Sequence, residues 1–136
     1  MAVTGINHIT LAVSKLGTSF DFYTDVLGFA PVARWSKGAY LTAGDLWLAL
    51  VLGDVSQALS DSDYSHIAFS CDKGEFKALV EGLRSAGYGA WQEHRSEGDS
   101  YYFHDPDGHK LEVHVGDLAS RVADMEQVPW DEFEYF

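Results

Sequence analysis

The 136-residue chain has one cysteine, three prolines and only nine basic residues, and each scarcity excludes something. A lone Cys71 rules out an internal disulfide and any cysteine-rich metal knot. The alternating run His66-Ile67-Ala68-Phe69-Ser70-Cys71 makes that thiol a structural residue rather than a nucleophile. Nine Lys and Arg stand against 21 Asp and Glu, a net charge of −12. A field of that sign repels nucleic acid and anionic membrane surfaces, so neither is an expected partner. It also repels small anions, unless a metal ion or an arginine cluster reverses the sign locally. No apolar run reaches membrane-spanning length, and the opening MAVTGINHITLAV lacks the basic segment of a signal peptide. The expected location is the cytoplasm. There is no Ser/His/Asp constellation, no P-loop and no G-x-G-x-x-G.

What is present suits a packed domain: 46% of residues are hydrophobic and 14% aromatic. NHITLAV (7–13) alternates like a strand, and Leu16, Phe20, Tyr23 and Leu27 then recur at helical spacing, with Gly28 as the stop. PVARW (31–35), AYLTA (39–43) and LWLALV (46–51) read as three strands separated by Gly38 and Gly44-Asp45. After a polar linker at 53–63 the order restarts. YSHIAFS (64–70) is strand-like, and Phe76, Leu79, Val80 and Leu83 mark a helical face that ends at Gly87. GAWQ (89–92), SYYF (100–103) and KLEVH (110–114) supply three further strands. A βαβββ unit is thus present twice, as 1–52 and 64–115, followed by a segment at 116–136 with a short helix at 117–125 and the acidic aromatic tail PWDEFEYF. The predicted class is α+β.

The chemistry follows from superimposing the halves, which sets His8 on His66 and, with AGDLWLAL aligned to DGHKLEVH, Leu48 on Glu112. Two imidazoles and a carboxylate suit a divalent ion such as Mn²⁺, Fe²⁺, Co²⁺, Ni²⁺ or Zn²⁺, and a leucine in the fourth place leaves a coordination position open. His114 shares a strand face with Glu112 and is a rival ligand, whereas His109, beside the turn Asp105-Pro106-Asp107-Gly108, is expected to be exposed. The loop RSEGDS (95–100) can direct backbone carbonyls or amides at an ion. Arg34, Arg95 and Arg121 are candidate anion holders. Trp35, Tyr40, Trp47, Tyr64 and Tyr102 are candidates to line a pocket, although strand aromatics usually belong to a core.

These segments, NHITLAVS, ARWSKGAYLTAGDLWLAL, DYSHIAFS and RSEGDSYYFHDPDGHKLEVHVGDLASR, resemble the fosfomycin-resistance glutathione transferases of the FosA type, in the vicinal-oxygen-chelate (glyoxalase/bleomycin-resistance) superfamily. The resemblance runs to about residue 125. It implies a cytoplasmic homodimer whose paired βαβββ modules form cup-shaped mixed sheets around Mn²⁺, with His8 of one chain meeting His66 and Glu112 of the other. It implies an enzyme that adds glutathione, as co-substrate, to the epoxide of fosfomycin. Thr10 matches the threonine that bonds the substrate oxygen, and Tyr40 the tyrosine that approaches the glutathione sulfur. Ser96, Ser100, Tyr102 and Arg121 match the phosphonate-holding set, and Trp47 and Tyr64 match pocket residues. Ser96, Glu97, Gly98 and Ser100 fall in a loop that binds K⁺. One position departs: the family's tryptophan–lysine reads Trp91-Gln92 here, which removes a cation beside the phosphonate. Other chemistries on the same scaffold are a glyoxalase, an Fe²⁺ ring-cleaving dioxygenase, or a sequestering protein of the bleomycin-resistance kind; such sequestering proteins usually lack the metal ligands.

Overall fold

The structure, a computed structural model, describes residues 2–55, 63–94, 97–128 and 130–136. The chain forms two compact units. One takes the chain up to Tyr64 and adds Asp105–His109; the other comprises Ser65–His104 and Lys110–Phe136. In the first, β1 (Ile9–Val13) leads into α1 (Leu16–Asp21), then β2 (Ala30–Trp35), β3 (Gly38–Ala43) and β4 (Leu46–Leu52). The sheet order is β1-β4-β3-β2, with β1 and β4 parallel and the other pairs antiparallel. In the second unit β5 (Ile67–Ser70) leads into α2 (Lys73–Ser85), β6 (Asp99–His104), β7 (Lys110–Val115) and α3 (Leu118–Gln127). Its sheet order is β5-β7-β6, again with first and last strands parallel. The α+β class and the repeated plan are both present.

The strand expected at 89–92 reduces to a single bridge between Gln92 and Tyr102. A side chain accounts for this. The indole N–H of Trp91 donates to the carbonyls of Phe103 at 2.9 Å and Leu111 at 3.3 Å, and its backbone N–H donates to Tyr102 at 3.0 Å. The segment is pinned through a ring to two neighbouring strands instead of through a ladder.

Alternation sorts each sheet into an apolar and a polar face. Leu11, Val13, Leu41, Leu48 and Leu50 are buried in the first unit, and Phe69, Tyr101, Phe103, Leu111 and Val113 in the second, where Val80 and Leu83 of α2 are buried too. Each such side chain contributes about 1.5–3 kcal/mol by leaving water. Helix α2 follows its predicted face and closes at Gly87, with Tyr88 N–H returning to Leu83 at 2.9 Å.

The first helix differs from expectation. Its buried residues are Ser19, Phe22 and Tyr23, while Leu16, Phe20 and Leu27 are half-buried. After Asp21 it continues as a π-helical stretch, Phe22–Val26, in which Leu27 N–H reaches back five residues to Phe22 at 3.1 Å. The wider turn rotates the apolar stripe and sends Tyr23 fully inside.

Tyr23 meets the turn Asp105–His109, which packs within this unit. Its hydroxyl donates to Asp105 Oδ2 at 2.7 Å, and Asp105 Oδ1 accepts the backbone N–H groups of Asp107 and His109, both at 2.9 Å. His109 is half-buried rather than exposed as the sequence suggested, because its Nε2 donates to the Ala12 carbonyl at 2.8 Å. Asp107 accepts from the Ser14 backbone and hydroxyl. Burial raises the Asp105 pKa above its ordinary 3.8, against the lowering effect of the Tyr23 hydrogen bond and of His109. Burial, then the charge of Asp105, pushes the Tyr23 hydroxyl well above its usual value.

A carboxyl group whose folded pKa is raised supports the fold fully below its unfolded pKa and progressively less as pH rises through the folded value. Tyr23→Phe removes a donor that favours the ionised form. The substitution is expected to cost about 1–3 kcal/mol at neutral pH. The loss should shrink in acid, where Asp105 is protonated, as read from urea midpoints at pH 7 and pH 4.

Candidate metal centre

Strand register determines which side chains share a face. In the second unit Ile67 lies opposite Leu111 and Ala68 opposite Glu112, so Glu112 occupies the polar face together with His66, one residue before β5. Across β6, Tyr102 lies opposite Glu112 and Ser100 opposite His114. In the first unit Ile9 lies opposite Leu48 and Thr10 opposite Ala49. Leu48 therefore corresponds to Leu111, and both are fully buried core residues. The position matching Glu112 is Ala49, not Leu48 as the sequence alignment had it. Anchoring on Gly44 and Gly108 misleads because Ala43 pairs with Leu46 across a short turn, whereas His104 pairs with Lys110 across a longer one. An alanine supplies no ligand either, so the first unit still offers only His8.

His66 and Glu112 come together: Nε2 lies 3.0 Å from Oε1. Two adjacent ligands about 2.1 Å from a common ion, at right angles, stand about 3 Å apart, so this spacing fits a shared divalent cation. Imidazole with carboxylate is a donor set that Mn²⁺, Fe²⁺ or Zn²⁺ accepts. Glu112 is 6% exposed, and its other oxygen accepts the Ser100 hydroxyl at 2.7 Å. His114 does not join the pair, since its Nδ1 stands 3.5 Å from Glu112 Oε2 and 2.6 Å from Ser100 Oγ. Among the described residues, no three His, Cys, Asp or Glu side chains form a group that can hold a metal ion.

Around this pair lie aromatic and cationic groups. The Trp91 ring sits edge-on to His66 and to Tyr102, with centroids 5.9 and 5.2 Å away, and Lys110 Nζ lies 5.4 Å over it. Tyr102 is buried. Helix α3 opens with a reciprocal cap between Asp117 and Ser120, which places Arg121 one turn in, where its Nε donates to Glu97 at 3.3 Å. Ser96 and Arg95 lie outside the described residues. Of the loop expected to bind K⁺, the Gly98 carbonyl accepts from His94 Nε2 and Glu97 accepts from Arg121, so protein donors already meet these oxygens. Sequence reasoning missed His94, whose only signal was its place just before that loop.

The corresponding face of the first unit is an open aromatic row. His8 and Trp47 are 4.3 Å apart, Trp47 and Tyr40 5.2 Å, and Tyr40 and Trp35 4.8 Å. Trp35, Tyr40 and Tyr64 are exposed, contrary to the usual habit of strand aromatics, and Thr10 lies on the same exposed face. Arg34 stacks on Phe20 with its guanidinium carbon 4.4 Å from the ring centre.

The profile of the glyoxalase/bleomycin resistance protein/dioxygenase superfamily matches residues 5–113, and the chain belongs to that superfamily. It is 47% identical over 127 residues to the glutathione transferase FosA of Serratia marcescens, across 92% of this chain and 90% of that protein. It is 42% identical over 134 residues to the metallothiol transferase FosB of Shouchella clausii, across 95% and 92%. The structure of the fosfomycin resistance protein FosX from Listeria monocytogenes with Mn(II) and sulfate matches with a TM-score of 0.79 at 30% identity, across 90% and 98%. Within the superfamily, this chain belongs to the Fos family of fosfomycin-resistance proteins.

Glu112→Gln keeps the shape and removes the charge of one donor. The variant is expected to weaken Mn²⁺ binding at least about 100-fold, measured by electron paramagnetic resonance of the free ion. Unchanged affinity would remove Glu112 from the ligand set.

Proposed function

We propose that this chain is a Mn²⁺-dependent transferase that adds the thiol of glutathione to the epoxide of fosfomycin. The observation that carries the reading is the 3.0 Å convergence of His66 Nε2 and Glu112 Oε1 on one sheet face, in a chain 47% identical to a glutathione transferase of this family. In this reading the third ligand is His8 of a second chain in a homodimer, the arrangement that the family resemblance implies. A divalent ion held there supplies Lewis acidity toward the oxygen that leaves carbon as the ring opens. The protein's own groups bind and orient. Thr10 offers its hydroxyl to that oxygen, and Tyr40 faces the incoming sulfur from the aromatic row that includes Trp47. Arg121, Tyr102, Gln92 and the serines Ser96 and Ser100 hold the phosphonate, Trp47 and Tyr64 line the pocket, and Arg121 counters the acidic field of the chain where the dianion rests.

In the reaction a C–S bond forms, a C–O bond breaks, and the released oxygen ends as a hydroxyl after taking a proton. The nucleophile comes from the co-substrate. Burial, then Asp72 and Glu75, raise the pKa of Cys71 above its ordinary value, which leaves it a poor thiolate at neutral pH. K⁺ would sit beside the phosphonate at the loop of Ser96, Glu97, Gly98 and Ser100, where the Gly98 carbonyl already accepts from His94.

The test is phosphorus NMR of fosfomycin with the Mn²⁺-loaded protein and glutathione, cysteine or no thiol. A glutathione thioether is the expected product. A diol formed without thiol would instead indicate water as the nucleophile, and stoichiometric binding without product would indicate sequestration. A charged hydrogen bond contributes about 1.5–3 kcal/mol against about 1 for a neutral one, so Gln92→Lys is expected to raise kcat/KM for fosfomycin roughly tenfold. An unchanged or lower value would show that the glutamine serves a different ligand.

A further inference from the structure

The His114 ring lies in a space that two glycines leave for it. A Cβ on Gly98 would stand 2.3 Å from the Val115 carbonyl oxygen and 2.9 Å from His114 Cε1, and one on Gly116 would stand 2.8 Å from His114 Nε2. Both glycines have positive φ, +76° and +139°, so backbone conformation and ring contact demand the same residue. A side chain given this much accommodation is held in one orientation. Its contacts show what that orientation does. The single hydroxyl hydrogen of Ser100 goes to Glu112 Oε2 at 2.7 Å, so at the 2.6 Å contact His114 Nδ1–H donates to Ser100 Oγ. Nε2 faces Glu97 Oε1 at 3.5 Å, and that oxygen accepts Arg121 Nε–H at 3.3 Å. The direct distance from Nδ1 to Glu112 Oε2 is 3.5 Å, too long for a hydrogen bond, so the imidazole reaches the carboxylate only through the serine.

We propose that His114 is a positioning residue for the metal ligand Glu112. It fixes the Ser100 hydroxyl so that the hydrogen bond falls on Oε2, and this leaves Oε1 turned to His66 as the coordinating oxygen. The inference rests on the reading that His66 and Glu112 hold a divalent ion. It gives the Gly98-Asp99-Ser100 and His114-Val115-Gly116 segments one task, and in the resting protein the Ser100 hydroxyl serves Glu112.

The experiment is Mn²⁺ titration of the chelator-stripped full chain, followed by electron paramagnetic resonance. Loss of a group that orients a ligand typically weakens metal affinity 10–100-fold. His114→Leu should show a loss of about that size. His114→Asn, whose amide N–H stands where Nδ1–H stood, should recover most of it, and His114→Gln, which reaches the Nε2 position instead, should not. In a Ser100→Ala background His114→Leu should add nothing further. Wild-type affinity in His114→Leu, equal loss in the Asn and Gln variants, or a full additional loss in the Ser100→Ala background would each overturn the proposal. Should His114→Leu fail to fold, the Asn-versus-Gln contrast carries the test. If the wild type binds Mn²⁺ and these patterns hold but no thioether forms, the transferase reading falls and this inference stands. If the wild type binds no Mn²⁺, both fall.

Discussion

A nearly buried carboxylate flanked by apolar neighbours is the constraint from which the site follows. Glu112 sits between Leu111 and Val113 on an interior strand, and the alternation that sends those two into the core sends it to the opposite face. An ionised group there is costly unless partners meet it. His66 meets one oxygen and Ser100 the other. Removing either partner leaves an uncompensated anion against a packed sheet, which is why the polar face is built outward from this residue: first the imidazole and hydroxyl, then His114, then Glu97 and Arg121 at the start of α3. The path runs from a core strand to a helix surface without leaving hydrogen-bonding or ion-pair distance.

Parallel pairing of the first and last strand makes this possible in both halves. It sets a residue just before β5 beside one in the middle of β7, and it sets His8 against Trp47 in the other half. The same pairing therefore serves two ends: a histidine–carboxylate pair in one unit, and in the other an exposed row of rings flanked by Thr10. Duplication supplied the frame, and divergence of single residues on one face assigned the tasks.

The repeat, the α+β class and the helix α2 were legible in the sequence, because alternation and helical spacing survive as patterns of apolar residues. What escaped was whatever depends on counting across turns or on side chains substituting for backbone. The Leu48 equivalence failed because the two hairpins turn through loops of different length, and no residue pattern reports which strand residue starts the ladder. The strand at 89–92 reduces to one bridge, and an indole N–H bonded to carbonyls of β6 and β7 ties that segment down instead, which no apolar alternation reports. The first helix buries Ser19 and Phe22 beside the expected Tyr23, and its π-helical continuation has no signature in the apolar spacing. Half-buried His109 was hidden for a related reason: its partner lies more than eighty residues away.

The turn 105–109 belongs by its contacts to the unit that ends, in chain order, forty residues earlier. Module boundaries in the gene and in the folded molecule therefore disagree. A fragment encoding only the first half would carry Tyr23, Ser14 and the Ala12 carbonyl without Asp105, Asp107 and His109, and would expose polar atoms that nothing in its own length can satisfy. The present chain thus carries, in five residues of its second half, the partners that complete the first unit.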